Sequence, residues 1–392
     1  MRMRSTERMA AAMRREVPDR VPVMCQLALG HYFLHGGEDP LAVWYTSGGF
    51  ARALVALARR YRFDGVLVNL PGRDPDIERH IVSMTREGNA RRIRFRDGSH
   101  AVLPDDDNAR YIPAGGASPH PPLDAVDPEK LFYVEPWDAT GVSYPYRWGF
   151  GAAAEPGDGF FPPYHLDTLR EVVRLAGGQL SVHAEVFSPF SQFLELVTLG
   201  EGLLALLAEP GKVHACLARL VEGARCQARL MAAAGADAIL VSSAYAGGGF
   251  LSRELYREFV LPYERRLIEG IKAAAGAVVY THTCGAIGDR LDLMLATGTG
   301  GIDTLDPPPL GTVELAEAKR ALAGRAFIKG NIDPVSTLLK GSVADVRADA
   351  RARLAIAAPG GGYILSSACS VPPHAPPENV ACLAEEAARF RY

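Results

Sequence analysis

Three residues in this chain have the types and the spacing to hold a soft metal ion. His282 and Cys284 stand two apart in Tyr280-Thr281-His282-Thr283-Cys284-Gly285, and Cys369 lies far downstream in Ser366-Ser367-Ala368-Cys369-Ser370. Residues two apart on an extended segment project to the same side, so the imidazole and the first thiol can converge. Two thiolates and an imidazole match zinc by ligand softness, and three protein ligands with a fourth position open form a catalytic rather than a structural site. The competing reading makes all three packing residues, since cysteine is among the most buried residue types. A zinc ion with two thiolates is electron-rich and activates water poorly. It suits instead a thiol held as thiolate for reaction with a methyl group, with metal-assisted hydrolysis as the other option.

Both motifs follow short apolar runs. Eight such runs occur, at 21–27, 63–70, 180–186, 236–242, 276–282, 301–305, 326–331 and 362–367. Helical spacing fills most intervals: 40–61, 166–175, 203–234, 252–274, 287–296, 313–322 and 343–358, with 377–390 closing the chain. Strands separated by helices pair in parallel, and eight units predict an α/β fold, a (β/α)8 TIM barrel formed by one domain over 1–392. Active sites of such barrels lie at the C-terminal strand ends. There the eighth run closes against the first and faces the fifth across the mouth, which brings Cys369 toward His282 and Cys284. The same ends carry Gln26, Asn69, His183, Glu185, Tyr245, Asp303, Asp306 and Asn331.

Residues 73–164 depart from the alternation and are expected to be a long insertion between strands two and three. A hairpin turning at Asp97-Gly98 is expected over 92–102, amid Pro, Gly and aromatic residues. A stretch this long and aromatic is expected to cover the active-site mouth; the plainer reading is an irregular surface excursion.

Composition narrows the partners. Lys+Arg 42 against Asp+Glu 45 gives a net charge of -3, which argues against nucleic acid as the main partner. No apolar run reaches the roughly 18 residues of a membrane span, so a cytoplasmic protein with no membrane partner is expected. The six cysteines, without a secretory leader, read as buried thiols or ligands rather than a disulfide framework. Gly247-Gly248-Gly249 lacks the Lys-Ser/Thr of a phosphate loop and reads as a flexible loop.

Four segments carry a family resemblance: Asp19-Arg20-Val21-Pro22-Val23, Phe259-Val260-Leu261-Pro262-Tyr263, Gly330-Asn331-Ile332-Asp333-Pro334, and Pro372-Pro373 with Pro376-Pro377-Glu378-Asn379. Together they resemble the uroporphyrinogen decarboxylase superfamily, which implies the barrel. The resemblance is weakest between about 73 and 164. True decarboxylases of that superfamily carry an Arg-Gln-Ala-Gly-Arg segment, an essential Asp and a Gly-His pair. The corresponding positions here hold Cys25-Gln26-Leu27-Ala28-Leu29, Asn69 and Ala368-Cys369. An octacarboxylate needs cations, so these departures speak against porphyrinogen decarboxylation. The zinc-dependent corrinoid and coenzyme M methyltransferases form the other branch. Their His-x-Cys with a distant Cys is similar to His282, Cys284 and Cys369. This implies zinc, and a corrinoid (cobalamin) carried by a partner protein or used as a free substrate.

The expected function is therefore a zinc-dependent methyltransferase moving a methyl group between a thiol or methylated small molecule and a corrinoid. The alternatives are a metal-free decarboxylase or lyase of a small carboxylic acid, and a non-catalytic binding subunit for a corrinoid protein. His282, Cys284 and Cys369 are the expected metal ligands. Glu185 and Asp303 are the expected catalytic residues, Glu185 as a fourth ligand, base or ion-pair partner and Asp303 on substrate or behind His282. Gln26, Asn69, Tyr245 and Asn331 are expected to bind substrate, with His31 and Tyr32 as pocket walls and His183 as a core histidine. A corrinoid protein and a second copy of the chain are the candidate partners.

Overall fold

A strand covered on both faces needs apolar residues at nearly every position, which is what the short runs supply. In the computed structural model, which describes residues 3–392 apart from 139, 142, 152, 153 and 158, seven of them form one parallel sheet. β1 (Gly65–Val68) comes first. The chain then builds a separate antiparallel sheet from β2 (Ile81–Glu87), β3 (Ala90–Phe95), β4 (His100–Pro104) and β5 (Arg110–Ile112). β6 (Ser181–Phe187), β7 (Ala238–Ser242), β8 (Val278–Thr283), β9 (Gly301–Thr304), β10 (Phe327–Ile332) and β11 (Tyr363–Ser367) complete the parallel sheet in the order β1-β6-β7-β8-β9-β10-β11.

The first run corrects the expectation of eight regular strands. Residues 21–27 make only two isolated parallel bridges, Val23 with Leu365 and Leu27 with Val371. The segment is nonetheless bonded on both sides. Met24 N donates to the Leu365 carbonyl at 3.1 Å, and Asp64 N donates to the Val23 carbonyl at 2.7 Å. The ladder is irregular because Val23 N donates to the side-chain carboxylate of Asp64 (2.9 Å) instead of a backbone carbonyl. Pro22 has no N–H to offer at all.

Asp64 also anchors the N-terminus. It is fully buried and accepts from Arg8 at 2.7 Å and twice from Arg20 at 2.8 Å. Arg8, 3% exposed, lies on the first helix, Ser5–Met13. From that helix Met9, Ala12 and Met13 pack with Met24, Leu67, Leu240, Tyr280, Phe327 and Ile364 in one buried cluster. A second, larger core fills the space between strands and outer helices.

Register fixes what the sheet presents at each level. Leu67, His183, Ala238 and Val278 share one row. Nearer the C-terminal ends, Ser242, His282, Asp303, Lys329 and Ile364 share another. Paired residues of parallel strands project to the same face, so this face changes from mainly apolar to polar toward the strand ends.

Several helices differ from their expected spans. The expected helix at 40–61 is two, Pro40–Tyr45 and Ser47–Arg60, because Thr46 caps the second through Gly49 N at 2.9 Å. The helix expected at 252–274 begins with Ser252 as N-cap, then widens into a π turn over Tyr256–Val260 before Leu261–Ala275. Pro262 explains the widening, since it cannot donate the regular helical hydrogen bond. The helix expected at 287–296 starts only at Leu291. Short helices at Leu29–His35 and Pro189–Leu196 were not signalled by periodicity. Among the described residues, no single helix is long and apolar enough to cross a membrane.

The hairpin at 92–102 is present as β3 and β4, flanked by β2 and β5. The chain after this sheet is seated closely on a helix. A Cβ at Gly223, on Pro210–Ala233, would lie 1.8 Å from the Phe132 carbonyl oxygen. Likewise a Cβ at Gly30 would meet the Asp106 carbonyl oxygen at 1.9 Å.

Candidate metal centre

β8 ends in His282 and Thr283, and Cys284 follows directly; Cys369 lies two residues beyond the end of β11. Their ligand atoms converge. His282 Nε2 is 3.3 Å from Cys284 Sγ, and Cys284 Sγ is 3.7 Å from Cys369 Sγ. All three ligand atoms lie within 4.8 Å of one another. A tetrahedral zinc with Zn–S near 2.3 Å and Zn–N near 2.0–2.1 Å requires edges of roughly 3.75 Å between sulfurs and roughly 3.5 Å between sulfur and nitrogen. The spacings of 3.3 and 3.7 Å match those edges within a few tenths of an ångström and the third lies within 4.8 Å, so the donor set fits the ion in softness and in these two edges.

The far side of the imidazole is also fixed. His282 Nδ1 lies 3.0 Å from Asp303 Oδ2, which leaves Nε2 to face the thiols. A carboxylate behind a histidine in this way sets its tautomer and raises its strength as a ligand. Lys329 Nζ donates to the other oxygen, Asp303 Oδ1, at 2.8 Å. The contacts follow from register, since His282 pairs with Asp303 and Asp303 with Lys329 across adjacent strands. Asp303 is 1% exposed and closed in between its two partners. It thus stands behind His282 as a positioning residue, one of the two places expected for it. Thr304 and Leu305 follow with φ of 79° and 58°. A β-branched residue rarely adopts that conformation; here Thr304 Oγ1 is tied to the Thr283 carbonyl at 2.5 Å.

The charges are strongly coupled. Burial alone would lower the His282 pKa, but hydrogen bonds to Asp303 and Cys369 outweigh it and raise it to about 10. Burial would raise Asp303, yet Lys329 and His282 hold it down to about 2. The two thiols share a proton: the hydrogen bond between them pushes Cys284 up and Cys369 down. Burial raises Asp306 to about 6, while Gly285 N donates to its Oδ2 at 2.6 Å and closes the turn after Cys284.

The other expected residues divide. Glu185, 7% exposed on β6, is raised to about 7 by burial, against the opposing pull of His282. Gln26 and Asn69 line one cavity of about 250 Å³ together with Tyr32, Trp137 and Ser370, the residue after Cys369. One expectation is corrected. Asn331 donates from Nδ2 to the Leu305 carbonyl and accepts at Oδ1 from Arg353, so both ends of its amide are occupied and its place is structural. Tyr245 donates its hydroxyl to Glu195 at 2.5 Å and does not line the Gln26–Asn69 cavity. His31 bonds Tyr61 at 2.8 Å and Pro372, a buried tie rather than a pocket wall. His183 bonds Tyr280 and Ser181 in the core, as expected.

Two residues here were missed from the sequence. Lys329 carried a signal: a lysine inside an apolar run implies a buried counter-charge. Glu135 carried none, because it lies in an irregular stretch. It is 2% exposed and shares a small cavity with Glu185, Asn69 and His165. Burial pushes its pKa from 4.5 to about 8. The folded chain therefore holds this proton where the unfolded chain has lost it. Stability falls as pH rises from about 4.5 to about 8 and levels off above. Glu135→Gln is expected to flatten that fall, measured by urea unfolding at pH 5, 6, 7 and 8.

The uroporphyrinogen decarboxylase (URO-D) family profile matches residues 154–390, more than half of the chain. The chain belongs to the uroporphyrinogen decarboxylase family. The match includes β6 to β11, and with them His282, Asp303, Lys329, Cys284 and Cys369. It leaves out β1 to β5, Gln26, Asn69 and Glu135. Relatives within the family carry two kinds of name. A uroporphyrinogen decarboxylase of Thioalkalivibrio sulfidiphilus is 33% identical over 57% of this chain and 63% of its own length. A methylcobamide:CoM methyltransferase MtaA of Methanosarcina barkeri is 26% identical over 59% of this chain and 64% of its own. The chain thus spans a little under two thirds of the length of these curated relatives. A solved methyltransferase from Methanosarcina mazei shares the fold, with a TM-score of 0.69, 17% identity and 99% of both chains covered.

Proposed function

We propose that this chain is a zinc-dependent methyltransferase that moves a methyl group between a thiol or methylated small molecule and a corrinoid. The carrying observation is the convergence of one imidazole and two thiols, with Asp303 held on the far imidazole nitrogen. The MtaA relative supports the same reading by its name. The name of the decarboxylase relative supports the alternative. Against it, no cationic side chain among the described residues lines the Gln26–Asn69 cavity, where a carboxylate-rich substrate would need one.

His282, Cys284 and Cys369 would hold the ion. A bound zinc supplies Lewis acidity that lowers the pKa of a substrate thiol. Asp303 keeps the His282 tautomer that presents Nε2, and Lys329 keeps Asp303 ionised. Glu185, buried and near pKa 7, takes up the proton that a substrate thiol releases. We read the sheet with segment 21–27 as a closed (β/α)8 barrel, on the strength of that segment's bonds to both edge strands. Residues 73–164 are then an insertion over the mouth, a reading supported by Trp137 and Asn108 in the cavity wall and Glu135 beside Glu185. The corrinoid would come from a partner protein or from solution, with the reaction in the cytoplasm.

The test is methylcobalamin demethylation by the zinc-replete chain in the presence of small thiols, followed by its visible spectrum. Thiol-dependent loss of the methyl group is expected. Carbon dioxide release from a small acid by the metal-free chain would overturn the proposal in favour of the decarboxylase. Binding of a corrinoid protein with no turnover of any thiol would favour the non-catalytic subunit. Asp303→Asn keeps the size of the side chain but removes its charge, and is expected to weaken zinc binding about 10–100-fold in a chelator competition titration.

A further inference from the structure

The cavity beside the thiols has a chemistry of its own. It measures about 250 Å³ and is lined by Gln26, Asn69, Tyr32, Phe50, Trp137 and Ser370, with Asn108, an alanine and leucines completing the wall. A cavity of about 150 Å³ is enough to hold benzene, so this one takes a single ring with a few substituents. Among the described residues, no Arg, Lys, His, Asp or Glu lines it. Arg73 is diverted: its guanidinium lies over Trp44, donates to the Trp137 carbonyl and lines a separate cavity. Three atoms of wall residues are unsatisfied. Gln26 Oε1 and Asn69 Oδ1 are buried and have no hydrogen-bond partner, and the third is the indole Nε1 of Trp137, a donor. A buried acceptor left unpaired is costly, and a water, an ion or a bound molecule that donates to it removes that cost.

We infer that this cavity is the substrate pocket of the proposed methyltransferase, and that it selects an uncharged, ring-sized molecule whose O–H or N–H groups donate to Gln26 and Asn69. The inference rests on the methyltransferase reading and narrows its substrate. A sulfonate or carboxylate would enter a pocket with no cation and with two acceptor oxygens beside the single indole donor of Trp137, and would lose most of its hydration without replacement. The uncharged ring instead meets Tyr32, Phe50 and Trp137, and its donors meet the two amide oxygens. Ser370 brings the pocket to the residue next to Cys369, so a methyl or thiol substituent on the ring is directed toward the metal centre.

The test is calorimetric titration of the zinc-replete chain with three probes: resorcinol, uncharged with two O–H donors; benzoate, a ring of similar size carrying a negative charge; and 2-mercaptoethanesulfonate. Resorcinol is expected to bind at least about tenfold more tightly than either anion. Gln26→Met and Asn69→Leu keep side-chain size and remove the acceptors, and each is expected to weaken resorcinol about fivefold or more. Tighter binding of either anion, no saturable resorcinol binding at millimolar concentration, or unchanged affinity in both variants would overturn the inference. Thermal melts establish that the variants are folded. Neither cysteine lines the pocket, so Cys284→Ser, stripped of zinc, is expected still to bind resorcinol. Loss of the metal and loss of the pocket are therefore read separately.

Discussion

Cys369→Ser is expected to weaken zinc binding by more than about 100-fold and to abolish methyl transfer. Loss of a supporting partner behind a ligand costs about 10–100-fold, and loss of the ligand itself costs more. Serine keeps the size but offers a neutral hydroxyl, a poor donor to zinc at neutral pH. The substitution also removes the thiol that shares a proton with Cys284. Wild-type protein is expected to melt at a lower temperature after chelation, because zinc bound only to the native state stabilises it by about 2.7 kcal/mol at one hundred times Kd. The variant should melt at the same temperature with and without chelator. Cys216→Ala is the control. Cys216 is buried in the helix Pro210–Ala233, away from the site, and its loss should leave zinc stoichiometry unchanged. Equal zinc affinity in Cys369→Ser and wild type would remove Cys369 from the site.

Asp64→Ala is expected to destabilise the fold by about 3–5 kcal/mol, the largest stability effect we assign to a single position. Four hydrogen bonds end on this buried carboxylate: one from Arg8, two from Arg20 and one from Val23 N. Its removal leaves the buried Arg8 with Asp19 as its remaining acidic partner and leaves Val23 N without its acceptor. Removing one partner of a buried pair costs far more than the pair contributes, because the remaining charge stays desolvated. The damage should concentrate where segment 21–27 meets β1, and where the first helix packs on Met24 and Leu67. Urea unfolding reads it as a lower midpoint at an unchanged slope. A shift below about 1 kcal/mol would mean that the network is solvated in solution.

How far the sequence foretold these features depends on the kind of signal each leaves. The parallel strands were legible because burial on both faces forces continuous apolar runs, and 63–70 to 362–367 overlap all seven, with β6, β8 and β10 running one residue further. The run at 21–27 looked the same, since composition does not reveal that a side-chain carboxylate substitutes for a backbone carbonyl. The cluster of one imidazole and two thiols was legible because His282 and Cys284 are neighbours in sequence and Cys369 follows another strand. Asp303 was legible as a strand-end residue with two possible places, on substrate or behind His282, but not which of the two it takes, because register between strands decides which carboxylate meets which imidazole. Asn331 misled for the same reason: its partners Leu305 and Arg353 are distant in sequence. In the stretch 73–164 only the Asp97-Gly98 hairpin had a turn signal. Glu135 and Trp137 reach the site through long-range packing that leaves no periodic trace.

The central claim is that one imidazole and two thiolates of this chain bind zinc. Zinc K-edge X-ray absorption, with metal quantified in the same sample, tests it most directly. The chain is purified under reducing conditions with zinc available. One zinc per chain is expected, with two sulfur neighbours at about 2.3 Å and one imidazole nitrogen at about 2.0–2.1 Å. A metal-free protein, or zinc with only oxygen and nitrogen neighbours, would contradict it.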